Sequence, residues 1–242
     1  MNRIIRAAYK RLGILHVGRR RVRDLIDFIE NRQIDTVIDV GANVGQFGES
    51  LRSGGYKGKI VSFEPTKSAY HVLSKKAELD GAWETHHCGL GAAPGTAILH
   101  ASQLSVFNSI LELSNVAKLH DNRMTVEHTE EIAIHTLDQA VGSLAGKMLL
   151  KIDTQGYEKQ VMEGARQTMS RAAGILLELP VVRTYEGEWQ FHDALKYMAE
   201  AGFVPAQIQA VGYHGSDNVS AVDFDCLFRP QSQIDAQETS SS

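Results

Sequence analysis

Two segments constrain this chain more than any others. Val37-Ile38-Asp39-Val40-Gly41-Ala42-Asn43-Val44-Gly45 reads as a buried strand running into a glycine turn and then a helix. Lys151-Ile152-Asp153-Thr154-Gln155-Gly156-Tyr157-Glu158 reads as a second buried strand that ends on an acid and opens another helix. Short apolar runs bounded by turn residues and followed by helical periodicity belong to parallel sheets. Both segments put polar groups at strand carboxyl ends, the edge at which open α/β sheets bind ligands.

The rest of the chain keeps the alternation. Strands are expected at Thr36–Val40, Lys59–Phe63, Trp83–Cys88, Met148–Ile152 and Gly174–Leu179, with a short extra one at Thr96–His100 and an alternating one at Thr125–Thr136. Helices are expected at Asp24–Asn31, Val44–Ser53, Lys67–Leu79, Glu158–Ser170 and Trp189–Ala201. The pattern implies a mainly parallel sheet with helices on both faces. Phe203–Val211 and Val222–Phe228 follow one another with no helix between them, which predicts an antiparallel carboxyl-terminal edge. The polar stretch 102–122 lacks periodicity and is expected to be a lid or substrate loop.

A length of 242 residues suits one large α/β domain and is short for two. We divide it into a basic amino-terminal helical extension (1–33), the main domain (34–230) and a polar, disordered tail (231–242). A charged fraction of 22% and a net charge of -4 fit a soluble globular protein and argue against nucleic acid as partner. Cys88 and Cys226 sit in apolar runs without metal spacing, as buried free thiols of a reducing, cytoplasmic compartment do. No apolar run approaches the roughly 18 residues that span a bilayer. Residues 1–23 carry Arg3, Arg6, Lys10, Arg11, Arg19, Arg20, Arg21 and Arg23 with no acid, and Ile4, Ile5, Ala8 and Leu12 share one helical face. This is either a helix packed on the domain with its charges solvated or a peripheral contact with an anionic membrane face.

Gly41 and Gly45 are spaced Gly-x-x-x-Gly, sparser than the Gly-x-Gly-x-x-Gly that cradles a pyrophosphate. Glu64, 23 residues after Gly41, stands at the tip of the second strand, where a carboxylate can accept from both hydroxyls of a ribose. Asp39, just before the turn, can hold an ammonium directly or through water. A ribose and an amine without a pyrophosphate describe S-adenosylmethionine better than NAD. The competing reading makes Asp39 and Glu64 turn or cap residues.

The Ile38–Gly45 run, Phe63-Glu64-Pro65, Thr136-Leu137-Asp138, Lys151–Glu158 and Val161-Met162-Glu163-Gly164-Ala165 occur in this order. Together they resemble the FkbM family of S-adenosylmethionine-dependent methyltransferases over roughly residues 34–228. The resemblance implies a class I methyltransferase (Rossmann-like) sheet and methylation of a hydroxyl on a sugar, glycolipid or secondary metabolite. The cofactor-contacting set is then Asp39, Gly41, Asn43, Gly45, Glu64, Cys88 and Ser109.

Methyl transfer to an alcohol needs an acceptor oxygen held in line and a group that takes its proton. Asp153 is the first candidate for that base. Alternatively, Asp153 with Glu178 holds a magnesium ion that acidifies the acceptor, or Asp153 is the helix N-cap. Lys151 alternates with Asp153 and either pairs with an acid or is a strand-edge charge. Glu158 suits the favourable end of a helix dipole. Among ten histidines, His214 is the second catalytic candidate, because its loop can cover the acceptor. Two other functions stay open. An NAD(P)-linked oxidoreductase is opposed by the sparse glycine turn and the lack of a Tyr-x-x-x-Lys pair; a non-catalytic binding module is separated by the effect of Asp153→Asn.

Overall fold

The computed structural model describes residues 19–114, 125–142, 144–213 and 219–232. Five strands run parallel: β1 (Thr36–Val40), β2 (Lys59–Phe63), β3 (Trp83–His86), β7 (Met148–Ile152) and β8 (Ala172–Pro180). Three more form a separate small sheet: β4 (Gly89–Leu90), β5 (Gly95–Ser102) and β6 (Val126–His135). The last two are β9 (Phe203–Tyr213) and β10 (Ala221–Pro230). The main sheet has the order β3-β2-β1-β7-β8-β10-β9. The chain adds strands outward from β1 on one side (β2, β3) and then from β7 on the other, so the parallel neighbours β1 and β7 flank a topological switch point with a crevice over their carboxyl ends.

The hydrophobic period explains the layers. Along β1, Val37 faces one cluster and Ile38 and Val40 the other, as alternation in a strand requires. The first face carries α1 (Arg19–Asn31), α2 (Gln46–Ser53) and α3 (Lys67–Ala77), through Ile26, Ile29, Leu51 and Leu73. The second carries α4 (Leu137–Val141), α5 (Glu158–Glu163), α6 (Arg166–Ser170) and α7 (Phe191–Glu200), through Leu137, Val161, Met169 and Met198. Residues 1–18, most of the basic segment, and 233–242, most of the polar tail, lie outside the described residues. Among the described residues no helix is long and apolar enough to cross a membrane.

The expected mainly parallel sheet with an antiparallel carboxyl-terminal edge is present: β10 pairs antiparallel with β8, and β9 pairs antiparallel with β10 as the outermost strand. Three details differ. The strand expected to run to Cys88 ends at His86, and Gly89–Leu90 leaves to pair with β6. The segments at 96–100 and 125–136 pair with each other as β5 and β6. The helix expected at 158–170 is two, because Asp138 caps a fresh start. Its carboxylate accepts from Gln167 N (3.0 Å), Thr168 N (2.8 Å) and Thr168 Oγ1 (2.8 Å).

Candidate active site

One cavity occupies the crevice at the strand tips. Its walls include Gly41, Asn43, Gln46 and Phe47 from the first turn and helix, Glu64 and Thr66 after β2, and Cys88. Asn108 and Ser109 from the polar segment, together with Lys151, Asp153 and Gln155, complete this part. The cavity continues over Leu176, Glu178, Gln207, Gln209, Asp225 and Leu227, beneath Val22 and Leu25 of α1. Of the cofactor set named from sequence, Gly41, Asn43, Glu64, Cys88 and Ser109 line it together. Asp39 and Gly45 are not on its wall. His214 lies outside the described residues.

Register explains Asp39. It pairs with Lys151 across the β1–β7 ladder, so both side chains leave the same face of the sheet. Asp39 is fully buried, and its Oδ1 lies 3.0 Å from Lys151 Nζ. Lys151 Nζ also donates to the Gly41 carbonyl at 3.2 Å and stands 3.5 Å from Asp153 Oδ2. The acid expected to meet a ligand's ammonium meets this chain's own. Burial alone favours loss of the Lys151 proton; the Asp39 and Asp153 carboxylates outweigh it and hold the ammonium above the usual lysine range. Burial pushes the Asp39 carboxyl up, and Lys151 opposes that rise.

Glu64 closes the turn. Oε2 accepts from Asn43 N and Oε1 from Thr66 N, both at 2.8 Å. Burial raises its carboxyl and these amides oppose the rise. Each oxygen retains a second lone pair for a ligand hydroxyl. Asn43 adopts φ +48, and its Oδ1 accepts from Ser105 Oγ at 3.1 Å. Asn108 Nδ2 donates to Thr66 Oγ1 at 3.2 Å, and Ser109 Oγ to the Gln155 carbonyl at 2.7 Å. These bonds dock the described part of the polar segment onto both strand tips. Burial lifts the Cys88 thiol to about 11, which makes it an inert lining group.

Asp153 is not a helix cap. Its Oδ1 accepts from the Gln155 carboxamide at 2.9 Å, and α5 begins only at Glu158. Glu158 organises the turn instead. Its Oε1 accepts from Thr154 N (2.8 Å), Thr154 Oγ1 (3.1 Å) and Gly156 N (3.2 Å). Burial lifts Glu158 to about 7 despite these donors. Sequence reasoning passed over Gln155. It adopts φ +55, donates to Asp153 and accepts from the Tyr185 hydroxyl at 3.1 Å. That second bond fixes which way the amide faces. A non-glycine residue at positive φ just after a strand-tip acid is a strained placement that surrounding contacts must hold. Tyr185 is itself buried, with its ring packed in a small cluster with Phe107 and Leu113.

Asp153 and Glu178 line the same cavity, and burial followed by the Asp153, Asp223 and Asp225 charges raises Glu178 well above the usual range. Among the described residues no three His, Cys, Asp or Glu side chains gather at one point to hold a metal.

Glu188 belongs to the same acidic region and yields a stability prediction. Its Oε2 accepts from Thr184 N (2.8 Å) and Tyr185 N (3.2 Å), and burial lifts it to about 8. From pH 4.5 to about 8 the folded state therefore binds more protons here than the unfolded chain, so stability falls as pH rises through that window. Glu188→Gln keeps the accepting oxygen and removes the charge. It is expected to raise unfolding free energy by about 1–3 kcal/mol at pH 8.5 and to change little at pH 4.5. Urea unfolding at both values checks this; the same difference at each would refute it.

Residues 39–205 match the Methyltransferase FkbM domain. The chain is 24% identical over 188 residues to "Methyltransferase 1" of Beauveria bassiana, covering 70% of this chain and 72% of that protein. It is 25% identical over 158 residues to "Methyltransferase sdnD" of Sordaria araneosa, covering 53% of this chain and 59% of that protein. The fold is similar to a magnesium protoporphyrin IX methyltransferase from Synechocystis PCC 6803, crystallised with S-adenosylhomocysteine. That likeness has a TM-score of 0.49 and 11% identity, and covers 95% of this chain and 88% of that one.

Proposed function

We propose O-methyl transfer from S-adenosylmethionine to a hydroxylated small-molecule acceptor, starting from the fact that this chain belongs to the FkbM methyltransferase family. The observation that carries the reading is one cavity bounded by the Gly41 turn, the Glu64 carboxylate and Asp153.

The residues fit the cofactor. Gly41 has φ +78, and a side chain there would collide with the Asp153 backbone oxygen, so the turn and the β7 tip leave a bare cradle between them. Glu64 has lone pairs for ribose hydroxyls. When bound, S-adenosylmethionine supplies a methyl group already activated as a sulfonium, so the protein's part is mainly orientation. Asp153 accepts the acceptor's proton as the new bond forms. Gln155 and Lys151 hold the Asp153 carboxylate from two sides.

The acceptor occupies the lobe walled by Glu178, Gln207, Gln209 and Asp225. Carboxylates and carboxamides side by side suit vicinal hydroxyls, and Leu25 and Leu227 give an apolar bed; this supports a sugar. The basic segment of residues 1–23 supports a lipid-linked sugar at an anionic surface.

Calorimetric titration with S-adenosylhomocysteine, with NAD in parallel, tests the cofactor assignment. Micromolar binding of the first alone is expected; NAD binding alone would replace it. A screen of glycosides with labelled cofactor then tests the acceptor class, and repeating a positive reaction in EDTA tests the magnesium alternative.

A further inference from the structure

We propose that the carboxamide oxygen of Gln46 receives the ammonium of the methionyl end of S-adenosylmethionine, an assignment that rests on the cofactor reading above. The methionyl end carries an ammonium that needs hydrogen-bond acceptors. The other acceptors named at this end of the cavity each already have a partner within the chain, and the lone pairs left on Glu64 are assigned to the ribose. Asp39 is off the wall and paired with Lys151. The Gly41 carbonyl accepts from Lys151 Nζ. Asp153 Oδ1 accepts from Gln155. Both Glu64 oxygens are held by amides next to the β2 tip.

Gln46 is different. It is the first residue of α2, directly after the glycine turn, and it lines the cavity beside Asn43 and Phe47. Its Oε1 is buried and has no hydrogen-bond partner. Among the described residues, it is the one such orphaned side-chain atom that belongs to a cavity-lining residue. A buried acceptor without a donor is costly to maintain, and a ligand N–H removes that cost. The charges agree. Asp39 and Asp153 against Lys151 leave the turn net negative, which favours a cation. A neutral amide adds an acceptor without crowding a third carboxylate beside those two.

Two ligands separate this role from a structural one. S-adenosylhomocysteine carries the amino-acid end; 5′-methylthioadenosine shares the nucleoside and lacks it. Gln46→Met removes the acceptor at similar length. In calorimetric titrations it is expected to weaken S-adenosylhomocysteine about tenfold or more, as loss of a charge-assisted bond does, while 5′-methylthioadenosine changes less than twofold. Gln46→Glu keeps an acceptor and adds charge, so it is expected to keep or increase the preference for S-adenosylhomocysteine. Equal losses for both ligands in Gln46→Met, or no loss for either, would overturn the assignment. If that variant does not fold, a reduced preference in Gln46→Glu overturns it and a maintained one supports it. Failure of the wild-type protein to bind either ligand would instead overturn the cofactor reading, a distinct result.

Discussion

Replacing Asp153 with asparagine is expected to lower turnover by about 10²–10⁴-fold, the range for losing a general base, while S-adenosylhomocysteine affinity stays within a few fold. The substitution is conservative in shape. Asparagine's oxygen can still accept from Gln155 Nε2, which in turn stays tied to Tyr185, so the turn keeps its geometry. What disappears is the charge. Lys151 retains Asp39 as a partner at 3.0 Å, so the cation is not stranded. An alcohol then attacks with no group to accept its proton. The check is turnover and calorimetry on one preparation, with whichever acceptor the screen shows the unmodified protein to methylate. Wild-type turnover in the variant would remove Asp153 from the mechanism. Loss of cofactor binding as well would make Asp153 a binding residue rather than a base.

The strand tips were legible in the sequence because they combine two patterns with independent physical causes. Val37–Val40 and Met148–Ile152 are buried throughout and apolar apart from the paired Asp39 and Lys151, because both faces of the sheet are covered, and the turn and acid that follow mark the carboxyl edge. Pairing partners were not legible. Nothing local to Thr96–His100 or 125–136 says that these strands pair with each other rather than join the main sheet. The position of β10 inside the sheet is likewise set by long-range register.

Residue roles divide in the same way. Asp39 invited a ligand role because an acid before a glycine turn is a familiar pattern, yet its partner stands 112 residues later in sequence and one strand away in space. For the same reason Lys151 reads from sequence as either a paired cation or an edge charge; the β1–β7 register makes it the partner of Asp39. Asp138 belongs to one of the segments that carry the family resemblance, and its role is to cap α6 with its carboxylate. Gln155 carried no signal beyond its place after an acid. Its value comes from Tyr185, 30 residues downstream, and from a left-handed backbone that sequence alone does not announce for glutamine. Side chains whose roles are set by nonlocal partners are the ones that sequence reading assigns least well.

Gly41→Ala is expected to damage both stability and cofactor binding, and a second glycine separates the two causes. Gly41 has φ +78, which costs a non-glycine residue about 1–2 kcal/mol by itself. It also faces the Asp153 backbone oxygen so closely that a methyl group would overlap it. That oxygen cannot swing away as a flexible side chain would. Asp153 N donates to the Val40 carbonyl at 3.1 Å, so β1 and β7 are tied together just behind the contact. Relief must come from shifting the turn or the β7 tip, and either movement disturbs Lys151, Asp153 and the cavity wall. Gly55 has φ +104 with nothing within 4 Å of an added Cβ. Gly55→Ala therefore reports backbone strain alone, about 1–2 kcal/mol. Gly41→Ala is expected to cost at least about 3 kcal/mol in urea unfolding, as backbone strain and overpacking add, and to weaken S-adenosylhomocysteine tenfold or more. Gly55→Ala should bind it normally. Equal destabilisation by the two variants, with binding intact in both, would mean that the turn and the β7 tip yield to each other and that the bare cradle is not what Gly41 provides.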